Sequence, residues 1–329
     1  MSKSLVTRFK GELRTTTDLM ELVDVLKRVA ISQFHSLDGQ RQRLGWTRSQ
    51  TAAGGPDPSG ERSPGASGGP MTLAHPDAKG PALSLSIVLD RFFRLIPPQQ
   101  CRHPFLEPPA PPLAVVVVTS DEGFLGGLNS AVIHTALSAS EGRPAELIVL
   151  GERGRTYFKD LGQPFTHFPG VGEHIAARGV EALRDHLVAR FLGRKVARVL
   201  VVYPRPLSFT QQEVGTVQLL PHEGPPRGSG RPGAAPMETI LEPSAYAIIE
   251  YLIKVWLSRK LHEVFWQSKL AELGARAMHL EASFLELAQQ RKKLTLQYFR
   301  GLHEVTDTSI RETYAGVVAR RREAAERLR

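Results

Sequence analysis

One cysteine, Cys101, stands in 329 residues, so neither an internal disulfide framework nor a cysteine-built metal cluster can form. That fits a reducing cytoplasm. Long apolar runs are missing too. Leu113 to Val118 is strand-sized, far short of the roughly 18 uninterrupted apolar residues that span a membrane, which predicts no direct membrane insertion. The start lacks the apolar core and small-residue cleavage site of a secretory signal. Glu12, Asp18, Glu21 and Asp24 argue against a transit peptide. Proline is absent before Pro56 and after Pro243, which leaves both ends free to form long helices.

Charge, by contrast, is plentiful. A formal net charge of +9 favours an anionic partner, although a solvated coiled-coil face also carries many Lys and Arg. Apolar residues in the last third alternate by three and four: Leu270, Leu273, Ala277, Leu280, Phe284, Leu287, then Leu294 and Tyr298. That heptad seam requires a partner helix. Arg291 falls on it, where a polar residue sets register. A helix over residues 240–318 is roughly 120 Å long. Near the other end, Leu19, Leu22, Leu26 and Val29 repeat the same alternation, and this stripe cannot stand exposed alone. Pairing of the two ends into one antiparallel rod is the simplest solution. An intermolecular coiled coil is the alternative.

Between the ends the composition shifts. Residues 45–82 are rich in Gly, Pro and Ser and read as a low-complexity flexible linker. Leu83 to Ile96 regains helical spacing. Leu113 to Val118 reads as a strand buried on both faces, followed by a helix over residues 131–140 and a strand over 145–150. Helices over 151–160 and 173–192, a strand over 196–203 and an edge strand over 216–220 complete the alternation. This predicts an α/β, Rossmann-like domain of mostly parallel strands over residues 83–221. A second flexible loop, 222–237, leads into the C-terminal coiled-coil helix, 238–329, as the N-terminal one spans 1–44.

The segment Thr119-Ser120-Asp121-Glu122-Gly123-Phe124-Leu125-Gly126-Gly127-Leu128-Asn129-Ser130 lies between a strand and a helix, where a glycine turn can cradle phosphate. It has neither a phosphate-loop nor a dinucleotide fingerprint and no basic residue, and Glu122 would repel an anion. Its glycines read as a tight turn with close backbone approach. No G-x-S-x-G elbow supports a hydrolytic serine, and His279 and His303 lack metal-ligand spacing. No catalytic, cofactor or metal residue is expected.

This segment resembles the T-S-D-x-G-x-x-G-G-x-N motif of the gamma subunit of F-type ATP synthases. Leu26-Lys27-x-Val29-Ala30-x-Ser32 resembles that family's M-K-M-V-A-A-S-K. Glu272-x-x-x-Arg276, followed by Ala282, resembles its S-E-x-x-A-R stretch. The resemblance implies an antiparallel coiled-coil shaft beside an α/β base, turning inside a hexamer of alpha and beta subunits. It also implies a link to the membrane c-ring through the epsilon subunit, on the cytoplasmic face of a bacterial inner membrane. Torque transfer needs no active site or cofactor in this chain. Glu272, Arg276, His303 and Asp307 are implied stator contacts. Glu122 stands where the family usually has Arg, and Leu125 where it often has Cys. The Arg-Gln pair of its R-Q-x-x-I-T segment is replaced by Leu302-His303. These departures suggest a divergent gamma subunit of an alternative bacterial ATPase, a class in which some complexes move sodium. Two other readings stay open: a coiled-coil nucleic-acid-binding or scaffold protein, and an α/β enzyme with helical arms. The gamma reading implies no nucleic acid.

Overall fold

The computed structural model describes residues 2–43, 92, 103–105, 112–141, 145–172, 175, 177–221, 242 and 244–326. The expected 45–82 linker, the 222–237 loop and nearly all of the 83–96 helix lie outside them. The elements run α1 (Ser2–Arg43), β1 (Leu113–Val118), α2 (Leu128–Ser140), β2 (Ala145–Leu150), α3 (Glu152–Asp160), β3 (Phe165–Phe168), α4 (Ala177–Leu192), β4 (Arg198–Pro206), β5 (Gln212–Leu220) and α5 (Ala245–Glu326).

The sheet order is β3-β2-β1-β4-β5. β1 lies at the centre, parallel to β2 and β4, and β3 continues the parallel set. β5 returns antiparallel along β4 at the edge. Every residue of β1 is buried, as its β-branched run requires of a strand covered on both faces. β3 was not expected: Phe165-Thr166-His167-Phe168 is too short to display a period.

Two apolar layers cover the sheet. Leu113, Val115 and Val117 share a core with Val132, Ile133 and Ala136 of α2 and Phe158 of α3. Ala114, Val116 and Val118 share the other with Val180, Leu183, Leu187 and Phe191 of α4. That second core also contains Ile249, Ile253, Leu257, Leu261, Val264 and Phe265 of α5. The foot of the long helix is therefore one layer of the sheet domain. Each such aliphatic side chain contributes roughly 1.5–3 kcal/mol on burial.

Above its foot, α5 pairs with α1. Phe34 and Leu37 cluster with Trp266, Leu270 and Leu273. Lys27 Nζ lies 2.9 Å from Glu281 Oε2, and a Cβ on Gly301 would lie 3.1 Å from Val6. Numbers rise on one helix as they fall on the other, so the pair is antiparallel. With 82 residues, α5 is roughly 120 Å long.

The seam on α1 differs from the sequence expectation by one residue. Leu19, Leu22, Leu26 and Val29 are between 38% and 54% exposed. The residues turned inward are Phe9, Leu13, Thr16, Met20, Val23, Lys27, Ala30, Phe34 and Leu37. Both sets alternate by three and four. Continued outward, however, the expected set meets Arg8, Glu12, Thr15, Gln33 and Ser36, whereas the observed one meets apolar residues at almost every step. The longer apolar register wins. On α5, Leu270, Leu273, Ala277 and Leu280 are buried, and Phe284 and Leu287 half-buried. Arg291 leaves the seam and is exposed.

Candidate functional site: the shaft and the loop that meets it

The loop after β1 is a fastening. Thr119 Oγ1 donates to the Leu150 carbonyl at 2.6 Å and accepts from the Gly154 amide at 2.9 Å. The Ser120 amide donates to Asn129 Oδ1, Asn129 Nδ2 donates to Ser120 Oγ, and that hydroxyl donates to the Glu122 carbonyl. α3 begins after Gly151, which has no side chain to cap it. Asp121 Oδ1 accepts the Glu152 amide at 3.0 Å instead, placing a carboxylate at the positive end of that helix. Gly170 makes room for it, since a Cβ there would lie 2.5 Å from Asp121 Oδ1. The motif's polar groups are thus spent inside the fold, joining β1 to α2 and α3.

The motif's glycines divide by role. Gly126 has φ +58, which favours glycine, and faces His279 of α5. Gly123 abuts the Arg153 guanidinium, and a Cβ there would lie 2.6 Å from it. Gly127 has φ −86 with open space around it, so the expected close approach does not apply there. Ser130 is exposed. Phe124 was not singled out from the sequence. It holds φ +61 and is 60% exposed, an unusual conformation for a bulky residue. No spacing signal announces it.

Where loop meets shaft, charges gather. Glu272 Oε1 accepts from Lys269 Nζ at 3.0 Å and Arg276 Nη2 at 2.7 Å. Arg276 Nη2 also lies 2.9 Å from Glu122 Oε2. Glu272 is 6% exposed and the Arg276 side chain 12%. Their ion pairs lie within the chain, so the expectation that these two residues face a stator is corrected. Periodicity could not show this, because the second carboxylate comes from a distant loop. His303 and Asp307, one turn apart, are exposed.

Further up the shaft, Lys27 occupies a seam position with its ammonium over the Phe284 ring, 4.8 Å from Nζ to the centroid. Hydrogen bonds first to Glu281 and then to Asp24 raise its pKa. At the same height the outer face of α1 carries Leu19, Leu22, Val25, Leu26 and Val29. Beyond the start of α1, α5 continues for roughly 30 Å with Ile310, Tyr314 and Val317 exposed.

A rod rooted in the core of a doubly wound sheet, with the signature loop bonded inward, defines a mechanical subunit. A family model described as ATP synthase matches residues 83–319. This chain belongs to the ATP synthase gamma family, the central-stalk subunits of rotary ATP synthases. The ATP synthase gamma chain of Symbiobacterium thermophilum is 30% identical over 212 residues, 64% of this chain and 73% of that one. That of Anaeromyxobacter dehalogenans strain 2CP-C is 29% identical over 228 residues, 67% and 78%. A chain of the Euglena gracilis mitochondrial ATP synthase, solved as OSCP, F1 and c-ring in rotational state 3, shares the fold. Its TM-score is 0.62 at 14% identity, over 96% of this chain and 95% of that one. A chain of the Tetrahymena thermophila mitochondrial central stalk and c-ring gives 0.53 at 14%, over 80% and 99%.

Proposed function

We propose that the rod turns inside a hexamer of alpha and beta subunits while the base domain couples, through an epsilon subunit, to a membrane c-ring. The structural neighbours come from assemblies containing F1 or a c-ring, which supports the placement. The observation that carries it is the second apolar stripe on α1. Leu19, Leu22, Leu26 and Val29 recur at helical spacing on the side turned away from α5, and such a stripe calls for a partner. His303 and Asp307 serve as stator contacts near the top. The complex sits on the cytoplasmic face of a bacterial inner membrane. No helix among the described residues is long and apolar enough to cross it.

In this reading the shaft makes and breaks no bonds. Its faces differ: the outer side of α1 carries an apolar stripe, whereas Arg291, Lys292 and Lys293 make an exposed basic band on α5. Each catalytic subunit therefore meets a different contact energy as the shaft turns, and its nucleotide affinity follows. Co-expression with alpha and beta subunits tests this. A soluble complex retaining this chain and hydrolysing ATP is expected. A hexamer that forms without retaining it would refute the assignment.

A further inference from the structure

We propose that Glu122 is a positioning residue that ties the base domain to the shaft by pairing, from the surface, with a charge network buried in α5; the inference rests on the central-stalk reading. Lys269 and Glu272 have side chains 8% exposed, and Arg276 12%. Both cations converge on one oxygen of Glu272. By themselves these three groups would hold a net positive charge where water screens poorly, which is costly. The balancing carboxylate comes from outside the shaft. Glu122, its own side chain 73% exposed, delivers it from the solvent side to Arg276 Nη2 at 2.9 Å, giving two cations and two carboxylates.

The arm that carries Glu122 is stiff. Ser120 Oγ bonds its carbonyl, Asp121 is tied to α3, and Gly126 brings the backbone against His279. Glu122 therefore transmits the position of β1 and α3 to the shaft. The remaining joints between base and shaft include the sheet layer at Ile249–Phe265 and Phe209 against the shaft. Apolar burial is non-directional, so such joints resist separation more than sliding. The Glu122–Arg276 ion pair is held on the loop side by the Ser120 and Asp121 bonds and on the shaft side by Glu272, so it adds a fixed point of contact that opposes the twist a rotor carries. An Arg at this position would set three cations about one buried carboxylate, so the Glu and the network form a matched pair.

The assembled complex, reconstituted in vesicles, provides the test through ions moved per ATP hydrolysed. E122R is expected to lower that ratio. The swap E122R/R276E again opposes two cations with two carboxylates and should recover at least half of the loss. If E122R does not assemble, E122Q replaces it, with a smaller loss expected. An E122R or E122Q complex that couples like wild type overturns the proposal. So does a charge swap that assembles yet stays as uncoupled as E122R. Should the wild-type chain itself fail to join the hexamer, the central-stalk placement falls instead. The latch is then read from thermal melting of the full-length chain. There, E122Q and R276Q effects that simply add overturn it, and non-additive ones support it.

Discussion

His103 packs under the foot of the shaft with its ring 4.2 Å from that of Tyr246. Its Nδ1 accepts the Phe105 amide at 3.1 Å, a bond that requires an unprotonated nitrogen. Burial lowers its pKa below 6.5, outweighing the pull of Glu250. Burial also lowers that of His262, against Glu181. The unfolded chain therefore binds protons near pH 6.5 that the folded chain refuses until the pH is lower. Stability from these groups is full above that value and falls as the pH drops through the window below it. Urea midpoints measured between pH 7 and pH 5 should decline, and His103→Asn, which keeps an acceptor for Phe105, should flatten the decline. Equal slopes in both proteins would show that His103 takes no part. At this scale much was hidden from the sequence. Thr119, Ser120 and Asp121 stand out as a motif, but that Asp121 caps α3 depends on residues thirty positions further on. A faint sign was available: a helix start at Gly151 with no capping side chain of its own.

The elements were more legible, for reasons that differ from one to the next. β1 and β2 announce themselves by β-branched and aliphatic runs, and α5 by the lack of proline over its whole length. β3 is too short to carry a pattern. α1 was legible as a helix but not in its rotation, since two adjacent stripes share one spacing and differ by 100°. The full seam from Phe9 to Leu37 distinguishes them, and a four-residue window does not. The consequence can be measured. Phe34→Ala, on the inner face at 8% exposure, should cost about 3–5 kcal/mol. Leu22→Ser, on the outer face, should change stability by about 0.5 kcal/mol or less yet weaken retention by alpha and beta subunits. Chemical denaturation and pull-down of the same two variants separate the roles. The assignment of the two stripes fails if Leu22→Ser destabilises the chain as much as Phe34→Ala does.

For the molecule as a whole, the decisive feature is that the shaft has no boundary with the domain at its base. Ile253 and Leu257 are fully buried in the same core as β1 and β4, so α5 is structural to the sheet before it is anything else. Higher up, the β4–β5 turn closes on the rod, and a Cβ on Gly274 would lie 2.8 Å from the Phe209 carbonyl. Sequence periodicity could give the length of the rod but not this junction, because the spacing of Ile249, Ile253 and Leu257 is the same whether the facing layer is a helix or a sheet. A torque applied to the base passes through that shared core as well as through the Glu122–Arg276 contact, and a core that yields in one layer yields in both. Ile253→Ala should therefore cost about 2–5 kcal/mol and loosen base and shaft together. Amide exchange in β1 and in the foot of α5 should accelerate by a similar factor in this variant. Acceleration confined to α5, with β1 protected as in wild type, would mean that the rod merely rests on the sheet, and the loop contacts at Arg276 and Gly274 would then carry transmission alone.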